Sequence, residues 1–452
     1  MSGGGDLSLA TRAVESALEA GASDAEAFLS EAREREVRVH GGEVESLSAA
    51  TQRGMGVRAW IGHRVGYAFG TDLGEEGIAG LASRAAEAAR ASDEDEFAGP
   101  PKAEGSPPSL QLTDPSIESA SPAELAEIAL AVERSAMEAD PRVTGVEAAV
   151  YGGAAERVAI TSSAGMAGEF EASSCSAYVQ VLAAGEAGVE TGLGFQLARG
   201  PAGLDPHAIG KEGAARATAM IGAGKPESRS CPVVLDPIVA ASFAGLIGGV
   251  LGANAVQRGR SPFAGRLGDE VAGEALVLHD DGTDPEGPNS SPFDGEGTPR
   301  RRTALIEGGR LRAYLYDSYT ARRAKAASTA NAGRGSYRTP PGVTASNLIV
   351  APGELSFEQL LAEVGEGVFV TDVVGLHSGV NPVSGVFSVG ASGRAIRRGE
   401  LAEPLREFTI ASDLVSMLRA VRAAGSTPRW VPFGGSVSTP PLLIGEMAVG
   451  GS

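Results

Sequence analysis

The longest apolar stretch of the chain spans residues 232–263, PVVLDPIVAASFAGLIGGVLGANAVQRGRSPF. Its first residues read as a short buried strand. Asp236 and Pro237 follow, where a helix would begin. The Asp side chain can cap the first amides, and a proline at the first helical position gives up an N–H that has no partner there anyway. The pattern beyond them predicts one long helix over 238–256 without a charged residue. Gly245, Gly248, Gly249 and Gly252 lie inside it. Each costs roughly 0.5–1 kcal/mol relative to alanine in a helix, so the surroundings must hold this helix in place. At about 20 residues it approaches a membrane span. Its glycines and Asn254, with no basic flank and no aromatic belt, predict a buried core helix instead.

The remaining pattern alternates between helical and strand periods. Apolar Leu7, Ala10, Val14 and Leu18 predict an amphipathic helix over 6–20. Strand-like runs follow at 25–31, 36–40, 43–48, 55–61 and 65–69, the last two joined as a hairpin at Gly62-His63. A helix is expected over 72–91. Residues 92–118, rich in Pro, Asp and Ser, read as an exposed connection. Ser121 and Glu124 have the spacing of a capping box and open a helix to about Asp140. Strands at 143–151, 155–162, 169–184 and 186–196 and a helix at 206–221 complete this half. The second half predicts strands at 275–279, 367–374, 385–392, 395–398 and 407–410, and a hairpin turning at Glu307-Gly308-Gly309. It also predicts short helices at 356–364, with Ser356 and Gln359 as its capping box, and at 412–420.

The expected fold class is therefore α+β. An N-terminal sheet-and-helix domain over 1–225 holds two helix–strands–helix units, about 1–91 and 119–222, joined by the linker 92–118. A mostly β C-terminal domain over 226–452 carries the one long buried helix. The length of 452 residues favours two domains over one.

Composition adds constraints. With 63 glycines and only 5% aromatic residues, the core must be built from small side chains and close backbone approaches. The formal charge of −19 disfavours nucleic acid and anionic membranes as partners. Cys175 and Cys231 form no CxxC pair and are expected as buried free thiols. The first residues lack a basic segment followed by an apolar one, so a cytoplasmic location is expected.

The five histidines, His40, His63, His207, His279 and His377, are isolated from one another. HExxH, HExxxH and HxH are all absent. Residues 385–390 miss the GxSxG spacing of a serine hydrolase, and the acidic run 279–284 reads as a solvated turn. Two polar, glycine-rich loops remain as a possible cleft or interface. One carries Asp294 and Glu296 within 291–297, where capping of nearby amides explains the carboxylates equally well. The other carries His377, Ser378 and Asn381 within 375–381.

An ordered set of motifs spans nearly the whole chain. GMGVRAWIGHRVGYAFGTDL (54–73) comes first, then PVVLDP (232–237), GRSPFAGRLGDEV (259–271) and SPFDGEGTPRRRTALIEGGRL (291–311). DSYTARRAKAASTANAG (317–333), the long run 356–393 and EFTIASDL (407–414) follow. Together they resemble the TldD/PmbA family, and within it the PmbA (TldE) branch. In members resembling TldD, the resemblance implies a zinc site made by HExxxH on the long helix and a cysteine near the C-terminus. The two histidines bind the ion, and the glutamate activates its water.

Aligned on Gly259, Ser261 and Phe263, the His-Glu pair falls on Ala244-Gly245 and the second histidine on Gly249. The cysteine falls at about Gly434. The resemblance thus implies no catalytic residue, no metal ligand and no cofactor in this chain. It implies a catalytically silent subunit beside a TldD-like metallopeptidase subunit that holds the zinc, the heterodimer degrading peptides or unfolded segments. Two rivals stand beside it: a binding or regulatory homodimer without peptidase role, and a hydrolase whose site is built from Asp294, Glu296 and His377.

Overall fold

The computed structural model describes residues 3–102, 105–186, 188–432 and 435–451. In its first part, strands run through breaks that the hydrophobic pattern suggests. After α1 (Gly3–Glu19), the two predicted runs at 25–31 and 36–40 are one strand, β1 (Asp24–His40). The runs at 43–48 and 55–61 are likewise one strand, β2 (Glu43–Ile61), followed by β3 (Arg64–Gly70). Beyond α2 (Glu75–Ala91), α3 (Ser116–Ser119) and α4 (Pro122–Ala139) come β4 (Val143–Ser162), β5 (Ala167–Gly185), β6 (Gly188–Ala198) and α5 (Pro206–Thr218). Gly152 and Gly153 fall in the break between the runs predicted at 143–151 and 155–162. They lie inside β4, paired with Glu36 and Arg35 on one side and with Ser176 and Cys175 on the other. A ladder on both sides overrides weak local preference.

These six strands form one antiparallel sheet in the order β3-β2-β1-β4-β5-β6. The capping box at the start of α4 is present: Glu124 N–H donates to Ser121 Oγ at 3.3 Å, and Ser121 N–H donates to Glu124 Oε2 at 2.7 Å. Helices cover one face of the sheet. Ala10, Ala13 and Ala17 of α1 and Ala82 and Ala85 of α2 meet Ala25, Ala27 and Ala59. Leu125 and Val132 of α4 and Ile209 of α5 pack on Val37, Val179 and Val181. At Gly66 a Cβ would overlap Ala85 O of α2, and at Gly194 it would overlap Ile209 O of α5. Glycine there lets helix and sheet approach closely.

The chain then enters β7 (Arg229–Leu235) and α6 (Pro237–Val250). The helix predicted over 238–256 is two helices. Gly252 is extended (φ −63°, ψ 131°), and α7 (Ala253–Gln257) follows it. Ala253 N–H donates to Leu315 O at 2.8 Å and Leu315 N–H to Leu251 O at 3.1 Å. This bridge draws the backbone out of the helix at the residue that resists least.

One six-stranded sheet runs β10-β9-β8-β13-β19-β18. It comprises β8 (Leu278–Asp281), β9 (Arg302–Glu307), β10 (Arg310–Leu311), β13 (Leu348–Val350), β18 (Arg429–Val431) and β19 (Val437–Thr439). β11 (Ala332–Gly333) and β12 (Gly342–Val343) pair separately. The other six-stranded sheet runs β16-β15-β14-β7-β20-β17. Besides β7 it holds β14 (Gly367–Val374), β15 (Val386–Arg397), β16 (Glu400–Asp413), β17 (Val421–Ala424) and β20 (Leu442–Gly450). Here too, runs predicted as separate strands at 385–392 and 395–398 merge, into β15. Short helices α8 (Ser318–Ala324), α9 (Phe357–Val364), α10 (Leu376–Gly379) and α11 (Leu414–Arg419) connect them. α6 lies between the two sheets, packed on β13, β18 and β19 of one and on β7 and β14 of the other. Among the described residues, no helix is long and apolar enough to cross a membrane.

Candidate functional site

α6 is positioned from both ends of the chain's logic. Asp236 Oδ1 accepts from Ile238 N–H at 2.9 Å and caps the helix, and Arg216 of α5 donates to both of its carboxylate oxygens at 3.2 and 3.0 Å. Ala244 is buried, Gly245 is half-buried and Gly249 is exposed. A Cβ at Gly249 would meet nothing within 4 Å. A methyl group and two hydrogens offer no lone pair, so these three positions do not fit a metal ion. Gly434 lies outside the described residues. Its neighbour Ser436 donates through Oγ to Asn347 Oδ1 at 2.7 Å. Among the described residues, no group of three His, Cys, Asp or Glu side chains gathers as a ligand set.

The loop carrying Asp294 and Glu296 folds inward, and both residues are 2% exposed. Asp294 Oδ1 accepts from the amides of Glu296 and Thr298, each at 2.9 Å, and Oδ2 accepts from Ala332 N–H at 3.0 Å. Glu296 accepts from Arg58 Nη1 at 3.0 Å and from Ser318 N–H at 2.9 Å. Arg58 also donates to Glu26 at 2.7 Å. Arg334 pairs with the other oxygen of Glu26 and lies 4.6 Å over the Phe28 ring. Tyr67 O–H donates to Tyr337 O at 2.7 Å. Together these groups form an ionic clasp that joins the N-terminal sheet to the loops after β8.

The electrostatics follow from that burial. Desolvation, with Glu296 nearby, pushes the Asp294 carboxyl up to about 7, against the pull of Arg300 and the amides. Burial would raise Glu296 too, but Arg58 and the Ser318 amide outweigh it and hold Glu296 below the usual range. Burial disfavours charge on Arg58, yet Glu26 and Glu296 keep it firmly protonated. The carboxylate oxygens of Glu296 and Asp294 are engaged by amides and guanidinium, as in a structural joint. A cavity of about 600 Å³ adjoins the clasp, with Phe28, Phe170, Arg300 and Arg334 in its wall.

His377, Ser378 and Asn381 sit elsewhere, on the exposed connection from β14 to β15 around α10. Asn381 Oδ1 accepts from the amides of Val383 and Ser384 at 2.9 and 3.2 Å, and Ser378 Oγ donates to Gly375 O at 3.4 Å. Among the described residues, no hydrogen bond or ion pair joins this connection to Asp294 or Glu296. Glu26, Arg58 and Arg334 are parts of the joint that the sequence reading did not single out. The available signal was a charged residue inside a run of buried apolar neighbours, as with Glu26 in Ala25–Leu29 and Arg58 in Met55–Trp60.

A second groove, of about 540 Å³, crosses the sheet face opposite the helices. Glu34, Glu36, Ser48 and Ala50 line its floor, and Asn289 and Ser436 stand on its far side.

Three family models match the chain in succession. They are PmbA/TldA metallopeptidase domain 1 over residues 25–89, the central domain over 115–221 and the C-terminal domain over 228–451. Metalloprotease PmbA of Escherichia coli O157:H7 is 29% identical over 446 residues, covering 97% of this chain and 95% of that protein. The metalloprotease PmbA homolog of Haemophilus influenzae is 26% identical over 454 residues, covering 97% and 95%. A crystal structure of a candidate modulator of a DNA gyrase from Thermotoga maritima matches with a TM-score of 0.89 and 26% identity, over 98% of this chain and 99% of that one. TldE from Thermococcus kodakarensis shares the fold at a TM-score of 0.90 with 22% identity, over 98% and 100%.

Proposed function

Since the chain belongs to the PmbA/TldA metallopeptidase family, we propose that it serves as the catalytically silent subunit of a heterodimeric zinc metallopeptidase acting in the cytoplasm on peptides or unfolded segments. A TldD-like partner supplies the zinc and the hydrolysis. The observation that carries this reading is α6 itself: Ala244, Gly245 and Gly249 stand where the resemblance calls for two histidines and a glutamate. An open position at Gly249 and a buried methyl at Ala244 suit a wall element better than a coordination shell. The chain would then shape the shared enclosure and support the active subunit.

The test uses the purified full chain, alone and mixed with a TldD-like subunit from the same genome. Metal content by mass spectrometry and cleavage of an unstructured peptide are measured. The chain alone is expected to hold no stoichiometric zinc and to cleave nothing, and the mixture to hold zinc and to cleave the peptide. Stoichiometric zinc with cleavage by the chain alone would overturn the proposal. The description of the Thermotoga neighbour as a gyrase modulator favours a second reading, a regulatory homodimer without peptidase role. Gentle affinity capture from the native cell separates the two. Recovery of a TldD-like chain supports the first, and its absence beside a captured target protein supports the second.

A further inference from the structure

β2 is paired with β1 along almost its whole length, from Glu43 to Trp60. On its other side it meets β3 only over Met55–Ile61. Residues 43–54 are therefore an open sheet edge, and every residue from Glu43 to Arg53 is exposed. The hairpin at Gly62-His63 determines which amides face outward. Its closing pair, Ile61 and Arg64, turns the odd-numbered residues of β2 toward β3. The only register shift between β1 and β2, at Arg38/Val39, leaves Glu45 as an extra residue of β2, a bulge that closes the far end of the edge. The alternation thus carries through, and Leu47, Ala49, Thr51 and Arg53 present N–H and C=O to the open side. Natural edges are usually blunted by proline, lysine or a bulge. The stretch Ser46–Gln52, SLSAATQ, has none of these.

Such an edge accepts only another extended backbone, and the charge beside it narrows the occupant further. Glu36 pairs in register with Ser48, and Glu34 with Ala50, so both carboxylates share the groove-facing side of the sheet. Neighbouring arginines are committed elsewhere: Arg35, which also lines the groove, to Ala120 O at 2.7 Å, Arg33 to Glu31 at 2.6 Å and Glu118 at 2.8 Å, Arg38 to Glu45 at 2.6 Å, and Arg53 to Asp6 and to Glu31 at 3.1 Å. An added strand would lie about 4.8 Å from β2. Its side chains on the groove face would stand about two strand spacings from Glu34 and Glu36, within reach of lysine or arginine.

We infer that the open half of β2 binds an extended peptide segment as an added strand, with Glu34 and Glu36 receiving its lysine or arginine side chains. The identification of this segment as substrate rests on the peptidase reading; the binding itself is a property of the isolated chain. A fluorescent decapeptide alternating lysine and threonine is titrated by anisotropy into the full-length protein. It is expected to bind with an affinity that falls as salt rises, and its glutamate-for-lysine analogue about tenfold or more weaker. N-methylation of alternate peptide amides removes the donors and is expected to abolish binding. Ala49→Pro removes only an outward-facing N–H and is expected to do the same without lowering the melting temperature appreciably. Glu34→Gln with Glu36→Gln is expected to weaken binding several-fold and flatten its salt dependence.

Equal binding of the N-methylated or of the acidic peptide overturns the inference, and that comparison decides the matter even if Ala49→Pro fails to fold. A dimer by light scattering that Ala49→Pro converts to monomer also overturns it, because a second copy then holds the edge. Loss of peptide binding beside an active reconstituted heterodimer would sink the strand site alone. Peptide binding beside an inactive, zinc-free mixture would sink the peptidase reading alone.

Discussion

Arg58 faces two buried carboxylates, and replacing it reveals what such a joint demands. Arg58→Met leaves Glu296 with only the Ser318 amide and leaves Glu26 to Arg334. Breaking one partner out of a buried ionic network typically costs about 3–5 kcal/mol, and chemical denaturation should show a loss of that size. Asp294 gives a pH signature. Its folded pKa is raised to about 7, above the value of the unfolded chain. The native state therefore holds an extra proton between roughly pH 4 and 7, and the stability this contributes is present at low pH and lost as pH rises through 7. Asp294→Asn should flatten that decline when unfolding is followed from pH 5 to 8. It should also lower stability throughout, since an amide NH₂ would face the Ala332 N–H that Oδ2 now accepts. Both loop carboxylates were legible in the sequence, and amide capping was one of the two meanings open to them. The rest of the joint was not legible, because Arg58 and Glu296 are 238 residues apart in the chain.

α6 shows how adjacent glycines can serve opposite ends. A Cβ on Gly248 would overlap Leu348 of β13, whereas one on Gly249 would meet open space. Gly248→Ala is expected to destabilise by about 1–3 kcal/mol through overpacking. Gly249→Ala is expected to stabilise by about 0.5–1 kcal/mol through helix propensity, and thermal melts of the two variants should move in opposite directions. The start of this helix was legible, because Asp236 and Pro237 act locally. So were the capping boxes at Ser121 and Ser356. The end was not, since the break at Gly252 depends on a bridge to Leu315, far along the chain. Strand lengths failed for a related reason. Residues 49–53, between the predicted runs at 43–48 and 55–61, are exposed on both faces of β2 and carry no alternation to read, and only pairing with β1 joins the two runs into one strand.

Across the whole molecule, the segment 92–118, read as an exposed connection, is fastened down near its start. Arg322 donates to Phe97 O at 2.6 Å and to Gly99 O at 2.9 Å, and Tyr319 O–H donates to Asp95 at 2.7 Å. Arg322→Ala should speed proteolytic cleavage near residues 95–102 while leaving the melting temperature almost unchanged, as limited digestion with mass spectrometry would show. Arg429 ties the far end of the chain to Glu212 at 2.9 Å and to Phe195 O at 2.6 Å. Charged side chains thus carry much of the joining between the two halves, and such pairings across sequence distance leave no trace in local pattern. The alanine-lined contact of α1 and α2 with the sheet has a different consequence, for the variants this protein can explore. Ala10, Ala13, Ala17, Ala25, Ala27, Ala59, Ala82 and Ala85 are already near the lower limit of side-chain size. Almost every replacement open to mutation there is an enlargement. Drift at this contact is therefore one-sided: it cannot proceed by hollowing out and refilling, and sequence change should be pushed to the solvent faces of the two helices.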